Sequence, residues 1–237
     1  MIETFALLLF AHVLADFILQ TNWMVRTKTR FIGMAAHIAI VWVTLAAVTT
    51  MPLHEAVLIL IGAHLVIDVV KTAALPNTFA SFMADQAAHV ASLIVVAAIA
   101  PDLWSGSLWA VDGFDWLPST LILISGFIIA TRAGGFAIRL LMTPYAEITE
   151  REGLADGGAL IGQLERGIVF ILILADAPMA IGFLIAAKSI LRFKPEAEDQ
   201  LTEYVIIGTL ASFGWALAAT FASLGVMSVL PPLPWLP

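Results

Sequence analysis

Residues 12–20 read HVLADFILQ, in which a histidine, an aspartate and a glutamine are spaced four apart inside an apolar run. Residues four apart lie on one face of an α-helix, so His12, Asp16 and Gln20 form one polar stripe. The remainder of the run is apolar enough to enter a membrane. The stretch therefore predicts a membrane-embedded helix whose ionisable groups require partners elsewhere in the chain.

The composition of the whole chain is that of an integral membrane protein. The chain has 237 residues, of which 61% are hydrophobic and 12% charged, and its mean hydropathy is +0.98. A soluble domain of this size would need many more charged side chains to cover its surface. The formal net charge of -7 argues against a nucleic-acid partner, because phosphate binding needs concentrated Lys and Arg.

The chain contains no cysteine. Disulfides, a thiolate nucleophile and thiolate ligands to a metal are therefore excluded. The sequence also lacks the G-x-S-x-G and H-E-x-x-H motifs of serine hydrolases and zincins. Any metal must be held by nitrogen and oxygen.

Apolar stretches long enough to cross a ~30 Å hydrocarbon core divide the chain into two blocks. We predict an all-α fold, a polytopic transmembrane helix bundle of about seven spans, with six or eight as alternatives. The first stretch is expected to be retained, because Glu3 replaces the basic start of a signal peptide. The predicted stretches are 3–22, 31–50, 54–75, 82–100, 118–142, 160–190 and 203–230. The predicted domains are a four-helix block at 1–100, a Trp-rich extracytoplasmic loop at 101–117 and a second block of about three spans at 118–237.

The positions of Lys and Arg predict the orientation of the first block. Arg26, Lys28 and Arg30 place the first loop in the cytoplasm and the N-terminus outside. The Trp-rich loop contains no Lys or Arg, as the extracytoplasmic face requires. Basic residues near both ends of the stretch 160–190 conflict with a single crossing. We therefore predict a broken or re-entrant helix near Asp176 and Pro178, which protein around it would permit.

The polar spacing of the first helix recurs in two other helices of the first block. HLVIDVVK and DQAAH place polar residues at steps of three and four, hence on one face of each helix. Together with the lone histidine of the second helix, these residues are His64, Asp68, Lys71, Asp85, Gln86, His89 and His37.

The depths of these residues coincide. At a rise of ~1.5 Å per residue, Asp16 and His37 lie about 9 Å from the cytoplasmic ends of their helices. His64 lies about 10 Å from Lys71 at the end of the third helix, and His89 lies about 10 Å from the start of the fourth. Since an ionisable group in hydrocarbon costs roughly 2.5–3.5 kcal/mol, such groups on four helices are expected to face one another. His54 lies at the outer end of the third helix, where we expect it to be solvated and without a role.

Histidine nitrogen with aspartate oxygen is a ligand set for a divalent metal, zinc first, with manganese or iron as alternatives. Such a metal would activate a water for hydrolysis of a lipid-linked or membrane substrate, with Asp85 as general base. Without a metal the same residues would make a proton- or cation-coupled transporter, or a scaffold in which they only join helices. The favoured ligand core is His12, Asp16, His64 and Asp68, with His89, His37 and Asp85 next and Gln20, Lys71 and Gln86 as polar neighbours.

The second block carries charged residues at GQLERG and AAKSILRF. Arg166, Lys188 and Arg192 are a candidate site for an anion or lipid headgroup, with Glu203 as a partner. The alternative is that they only mark helix ends at the membrane interface. Glu165 and Arg166 are adjacent and point in different directions on a helix, so each is expected to pair with other helices.

The motifs HVLADFILQT, HLVIDVVK and DQAAH together resemble an uncharacterised bacterial inner-membrane family, a domain of unknown function whose members begin with an H-x-x-x-D-x-x-x-Q helix. The resemblance covers about residues 5–100, and the second block looks like an extension that many members carry. It implies a multi-pass protein of the bacterial inner membrane and no known reaction. The oligomeric state is left open.

Overall fold

The computed structural model describes residues 1–148, 157–192 and 199–235, and within these ranges the chain is helical with no strand. The predicted all-α membrane bundle is confirmed: seven described helical segments are long and apolar enough to cross a bilayer. The chain is therefore a multi-pass membrane protein. The α-helices are α1 Ile2–Leu14, α2 Asn22–Thr27, α3 Phe31–Thr49, α4 Glu55–Ala74, α5 Phe79–Ile99, α6 Leu117–Ile128, α7 Gly134–Met142, α8 Gly157–Leu174, α9 Met179–Arg192 and α10 Asp199–Met227.

The described chain separates into two compact units. The first unit contains residues 1–126 and the chain from Ser223 onwards, and the second contains 127–222. In the first unit α1 packs against both α3 and α5, and α4 packs against α3 and α5. Small residues such as Ala11 and Ala15 are fully buried in its core, which lets neighbouring helices approach closely.

Polar side chains fix the helix starts of the first unit. Thr21 and Thr78 each accept a hydrogen bond from a backbone N–H in the first turn of α2 and α5. His54 does the same for α4, where its Nδ1 accepts from the N–H of Ala56. These residues satisfy amide groups that lack a partner within the helix.

The Trp-rich loop is held at one end of the first unit. Thr4 near the start of α1 donates to the carbonyl of Pro101 at 2.8 Å, and Thr50 after α3 accepts from the N–H of Leu108 at 2.9 Å. The start of α1 and the ends of α3 and α5 therefore share this end. The end of α1, the start of α3 and the end of α4 consequently meet at the opposite end.

The predicted break near Asp176 and Pro178 is present, because α8 ends at Leu174 and α9 begins at Met179. The N–H of Ala177 donates to the carbonyl of Leu172, and that of Asp176 to Ile173. Asp176 adopts the left-handed conformation, with φ of 52°. This pattern is a Schellman helix ending, which aspartate tolerates and after which proline is common. Helix termination thus accounts for an acid in this apolar stretch.

Candidate metal centre

The first membrane helix changes from an α-helix to a π-helical turn at the polar stripe. α1 ends at Leu14, and Ala15–Leu19 continues as a π-helical turn that contains Asp16. A π-helical turn inserts one extra residue into a helix and is frequent at functional sites. At this wider turn, Asp16 Oδ2 lies 3.9 Å from His12 Nδ1. The other carboxylate oxygen of Asp16, Oδ1, faces α3 and α4.

Four side chains from three segments converge at the centre of the first unit. The Nε2 atoms of His37 and His64 are 3.1 Å apart. Asp16 Oδ1 lies 3.5 Å from each of these nitrogens. Asp68 Oδ2 lies 3.2 Å from His37 Nε2 and 3.5 Å from His64 Nε2. Two triangles thus share the edge between the histidines, and each has a carboxylate oxygen at its third corner.

The dimensions of both triangles suit a small divalent cation. Zinc binds histidine nitrogen and carboxylate oxygen at about 2.0–2.2 Å in a tetrahedron, which separates its ligand atoms by about 3.3–3.5 Å. The measured separations run from 3.1 to 3.5 Å. His37 and His64 are essentially inaccessible to solvent, and Asp16 Oδ1 and Asp68 Oδ2 are buried without a hydrogen bond. Buried oxygens of this kind are ordinarily satisfied, so a cation fits their chemistry.

His12 and His89 extend the centre on the side of α5. The His89 ring stacks on the His12 ring with centroids 4.9 Å apart and lies 4.4 Å from the His64 ring. His89 Nδ1 lies 3.0 Å from the backbone carbonyl of Asp85, which fixes the proton on Nδ1 and leaves Nε2 as a free ligand atom. That Nε2 and both nitrogens of His12 are buried without a hydrogen bond.

Three overlapping groups of side chains present atoms within 4.8 Å of one another, a spacing compatible with a bound metal. All four histidines and all three aspartates predicted from the sequence take part. His37, which the sequence presented as a lone residue, lies in the tightest convergence. The groups are Asp16, His37 and His64; His12, His64 and His89; and Asp68, Asp85 and His89.

The predicted polar neighbours occupy different positions around the histidines. Gln20 Nε2 lies 3.1 Å from His37 Nδ1 and so contacts the nitrogen opposite the convergence. Gln86 donates to Asp85 Oδ2 at 3.1 Å, while Asp85 Oδ1 is buried without a hydrogen bond. Lys71 Nζ is also buried without a hydrogen bond, and it is not the cation that contacts Asp68.

The contact between Lys28 and Asp68 was not predicted from the sequence. Lys28 was assigned only to a basic cytoplasmic loop, but its Nζ lies 2.7 Å from Asp68 Oδ1. The lysine side chain is 15% exposed and the aspartate 3% exposed, so the pair is largely withdrawn from water. The available signal was that the loop after Gln20 returns to the end of the unit at which Asp68 lies.

The charges of the centre are unbalanced among the groups in direct contact. Asp16, Asp68 and Asp85 are carboxylates, and Lys28 is the one lysine that contacts any of them among the described residues. With neutral histidines this leaves an excess of two negative charges. A divalent cation would offset that excess.

The predicted headgroup residues of the second unit have separate surroundings. Arg166 is 3% exposed and donates to the carbonyls of Ala130 and Thr131 and to the hydroxyl of Ser212. Lys188 pairs with Glu165 at 2.6 Å. As expected, Glu165 and Arg166 bind different partners. Arg192 is the last residue of α9, and its side chain lies outside the described part of the structure.

The comparison with known proteins concerns the first unit. Residues 4–111 match a family model described as a protein of unknown function, DUF3307. No curated protein and no solved structure matches the chain. The matched range contains most of α1, all of α2 to α5 and every histidine and aspartate of the centre. The predicted resemblance to an uncharacterised family is confirmed. Over residues 4–111 the chain is therefore similar to the DUF3307 family of unknown function.

Proposed function

We propose that the first unit binds a divalent metal, with zinc favoured over manganese and iron, and that the protein is a metal-dependent hydrolase of a lipid-linked or membrane substrate. The convergence of Asp16 Oδ1, His37 Nε2, His64 Nε2 and Asp68 Oδ2 carries the proposal. A set that served only to join helices would be expected to complete its hydrogen bonds. Here two of the four atoms are oxygens buried without one.

His64 is the residue on which the proposed centre depends most. It belongs to the group with Asp16 and His37 and also to the group with His12 and His89. A metal held by three protein ligands keeps a further position for water and supplies a hydroxide near neutral pH. Asp85 is the proposed general base, because its unpaired Oδ1 lies next to the ligand set and within 3.7 Å of His89 Nδ1.

An apolar groove suggests the class of substrate. The groove has a volume of about 900 Å³ and runs between α3 and α4. Lys28 and Arg30 lie at one end, whereas Trp42 and Leu58 lie near the other. Lys28 also contacts Asp68, so the charged end of the groove adjoins the proposed centre. A lipid chain in the groove would place an anionic headgroup next to the metal ligands.

A transporter is the second candidate, and a continuous series of contacts supports it. Gln20 contacts His37, His37 contacts His64, and the His64 ring lies against the His89 ring. Such a series would relay protons if it were connected to water on both sides. For either function we propose a location in a bacterial inner membrane, which the resemblance to an uncharacterised bacterial family implies. The positive-inside rule then predicts that the N-terminus lies outside.

The activity test uses full-length protein in vesicles of labelled phospholipid, loaded with zinc or manganese. The measurement is the release of water-soluble product by wild type, Asp85→Asn and Asp102→Asn, an exposed acid of the Trp-rich loop. Removing a general base is expected to lower the rate about 10²–10⁴-fold while bound metal is retained. Asp102→Asn should behave as wild type.

The same vesicles distinguish the two candidate functions. Product release that Asp85→Asn leaves unchanged would contradict the assigned base. Proton flux lost in His64→Ala, together with no product release by wild type, would favour the transporter over the hydrolase.

A further inference from the structure

The second unit contains a separate cavity with a basic lining. Its volume is about 440 Å³, within the range of small-molecule sites. The charged residues among its described lining are four cations and one acid, namely Arg132, Arg139, Arg166, Lys188 and Glu165. Every lining residue lies within 127–222, so the cavity is independent of the proposed metal centre.

Arg166 is the fixed element of this cavity. A π-helical turn at Ile129–Ala133 joins α6 to α7. Such a turn leaves carbonyls without their usual helical partners. Arg166 Nε and Nη2 donate to two of these carbonyls, those of Ala130 and Thr131, at 2.9 Å each. The protein thus holds the guanidinium in one orientation with neutral acceptors and no carboxylate.

The guanidinium of Arg166 retains donor capacity after these bonds. Nη1 has one partner, the hydroxyl of Ser212 at 3.0 Å, and Nη2 has one, the carbonyl of Thr131. Each of these nitrogens carries two N–H groups, so one N–H on each has no described protein acceptor. Two N–H groups on one guanidinium can bind two oxygens of a phosphate at once.

Glycines leave the terminal nitrogens of Arg166 accessible. A methyl group added at Gly162 would lie 3.1 Å from Nη1, and one added at Gly135 would lie 3.3 Å from Nη2. Both glycines line the cavity. Side chains at these positions would therefore crowd the two nitrogens that have unused N–H groups.

The remaining charges make the cavity positive. Lys188 and Glu165 neutralise each other at 2.6 Å. Arg132 and Arg139 are exposed and form no ion pair with any acid in the described part of the chain. Arg166 also lacks an acidic partner there. Among the described residues, three arginines around one opening therefore have no acid in an ion pair with them.

We propose that this cavity binds a phosphate group, held by Arg166 at its base and by Arg132 and Arg139 at its opening. A phosphate fits because it offers several oxygens to the N–H groups of the Arg166 guanidinium. Its negative charge would also offset the positive charge of the arginines. The phosphate could belong to a lipid headgroup or to a water-soluble phosphate compound, and the experiment below distinguishes these sources.

The test measures equilibrium binding of three probes to full-length protein in detergent. The probes are short-chain phosphatidic acid, glycerol 3-phosphate and the matching short-chain diacylglycerol, which lacks phosphate. Binding of both phosphate compounds with similar affinity would assign a soluble ligand. Binding of phosphatidic acid at least about tenfold tighter than glycerol 3-phosphate would assign a lipid headgroup.

The matched variants replace exposed arginines and so avoid the buried Arg166. Arg132→Gln with Arg139→Gln should weaken binding of the phosphate probe at least about tenfold. Arg26→Gln, which removes an exposed arginine outside the second unit, should leave binding unchanged. Equal binding of diacylglycerol, no binding of either phosphate compound, or unchanged affinity in the double variant would overturn the proposal.

Discussion

Gln20 provides a test of the proposed metal centre through a residue that is not itself a ligand. Its amide nitrogen lies 3.1 Å from His37 Nδ1. As placed, the amide donates to Nδ1, so the His37 proton resides on Nε2 and points toward the convergence. Metal binding through Nε2 requires the proton on Nδ1 instead. A half-turn of the amide would then let the Gln20 carbonyl oxygen accept a hydrogen bond from Nδ1–H of His37.

The size of the effect follows from this single contact. Groups that orient a metal-bound histidine are worth about 10–100-fold in metal affinity, or roughly 1.4–2.7 kcal/mol. One neutral hydrogen bond contributes about 0.5–1.5 kcal/mol, and at 3.1 Å this one is long for its type. We therefore expect Gln20→Leu to weaken zinc binding about tenfold, near the lower limit for such groups.

Gln20→Glu is the matched variant. A carboxylate accepts from Nδ1–H in a charge-assisted bond about twice as strong as a neutral one. Zinc affinity should therefore stay at the wild-type level or rise up to about tenfold. The assay is competition for zinc between tag-free protein in detergent and a chromophoric chelator, with thermal unfolding of each variant as the control for folding.

Gln20→Leu and Gln20→Glu are expected to differ in zinc affinity. Equal zinc affinity in Gln20→Leu and wild type would show that His37 does not bind metal through Nε2. An equal loss in Gln20→Leu and Gln20→Glu, with both proteins folded, would contradict the assigned direction of the hydrogen bond.

Two further predictions concern stability. Gly134→Ala should destabilise the protein by about 1–3 kcal/mol, because its Cβ would lie 2.6 Å from Trp215 Cδ1 while that indole is held by the carbonyl of Ile129. Gly214→Ala has open space around it and should be neutral or stabilising in thermal unfolding, so equal melting temperatures for the two variants would refute this account. Lys28→Met should destabilise the metal-free protein, near the lower end of the roughly 3–5 kcal/mol that breaking a buried pair costs, because Asp68 keeps its histidine contacts. Zinc should recover most of that loss in unfolding experiments, and a loss that zinc leaves unchanged would show that the cation does not offset the charge of Asp68.

The helical period predicted much of the site. Steps of four placed His12 with Asp16 and His64 with Asp68, because helix faces are set by local geometry that sequence spacing encodes directly. The rise per residue of an α-helix then predicted that these faces lie at the same depth in the membrane. The structure brings the predicted side chains together on this basis, although metal binding itself remains a proposal.

Features that depend on tertiary packing could not be predicted in this way. The π-helical turn at Ala15–Leu19 has no sequence signature of its own and reorients Asp16. Lys28 contacts Asp68, which lies 40 positions away in the sequence. The positive-inside rule predicts the side of the membrane on which a lysine lies but does not predict which residue it contacts. Asp176 shows the opposite limit. An acid in an apolar stretch is a functional candidate by default, whereas a helix ending accounts for this one.

Metal content tests the central claim most directly. The measurement is elemental analysis of tag-free protein after incubation with zinc, manganese or iron and removal of free metal. His64→Ala removes a residue that two candidate groups share and that contacts both Asp16 and Asp68. The control is His54→Ser, which changes the one histidine outside the centre and keeps a residue able to begin α4. We expect about one metal ion per chain in wild type and His54→Ser and almost none in folded His64→Ala. Stoichiometric metal in His64→Ala, or none in wild type with any of the three metals, would contradict the account.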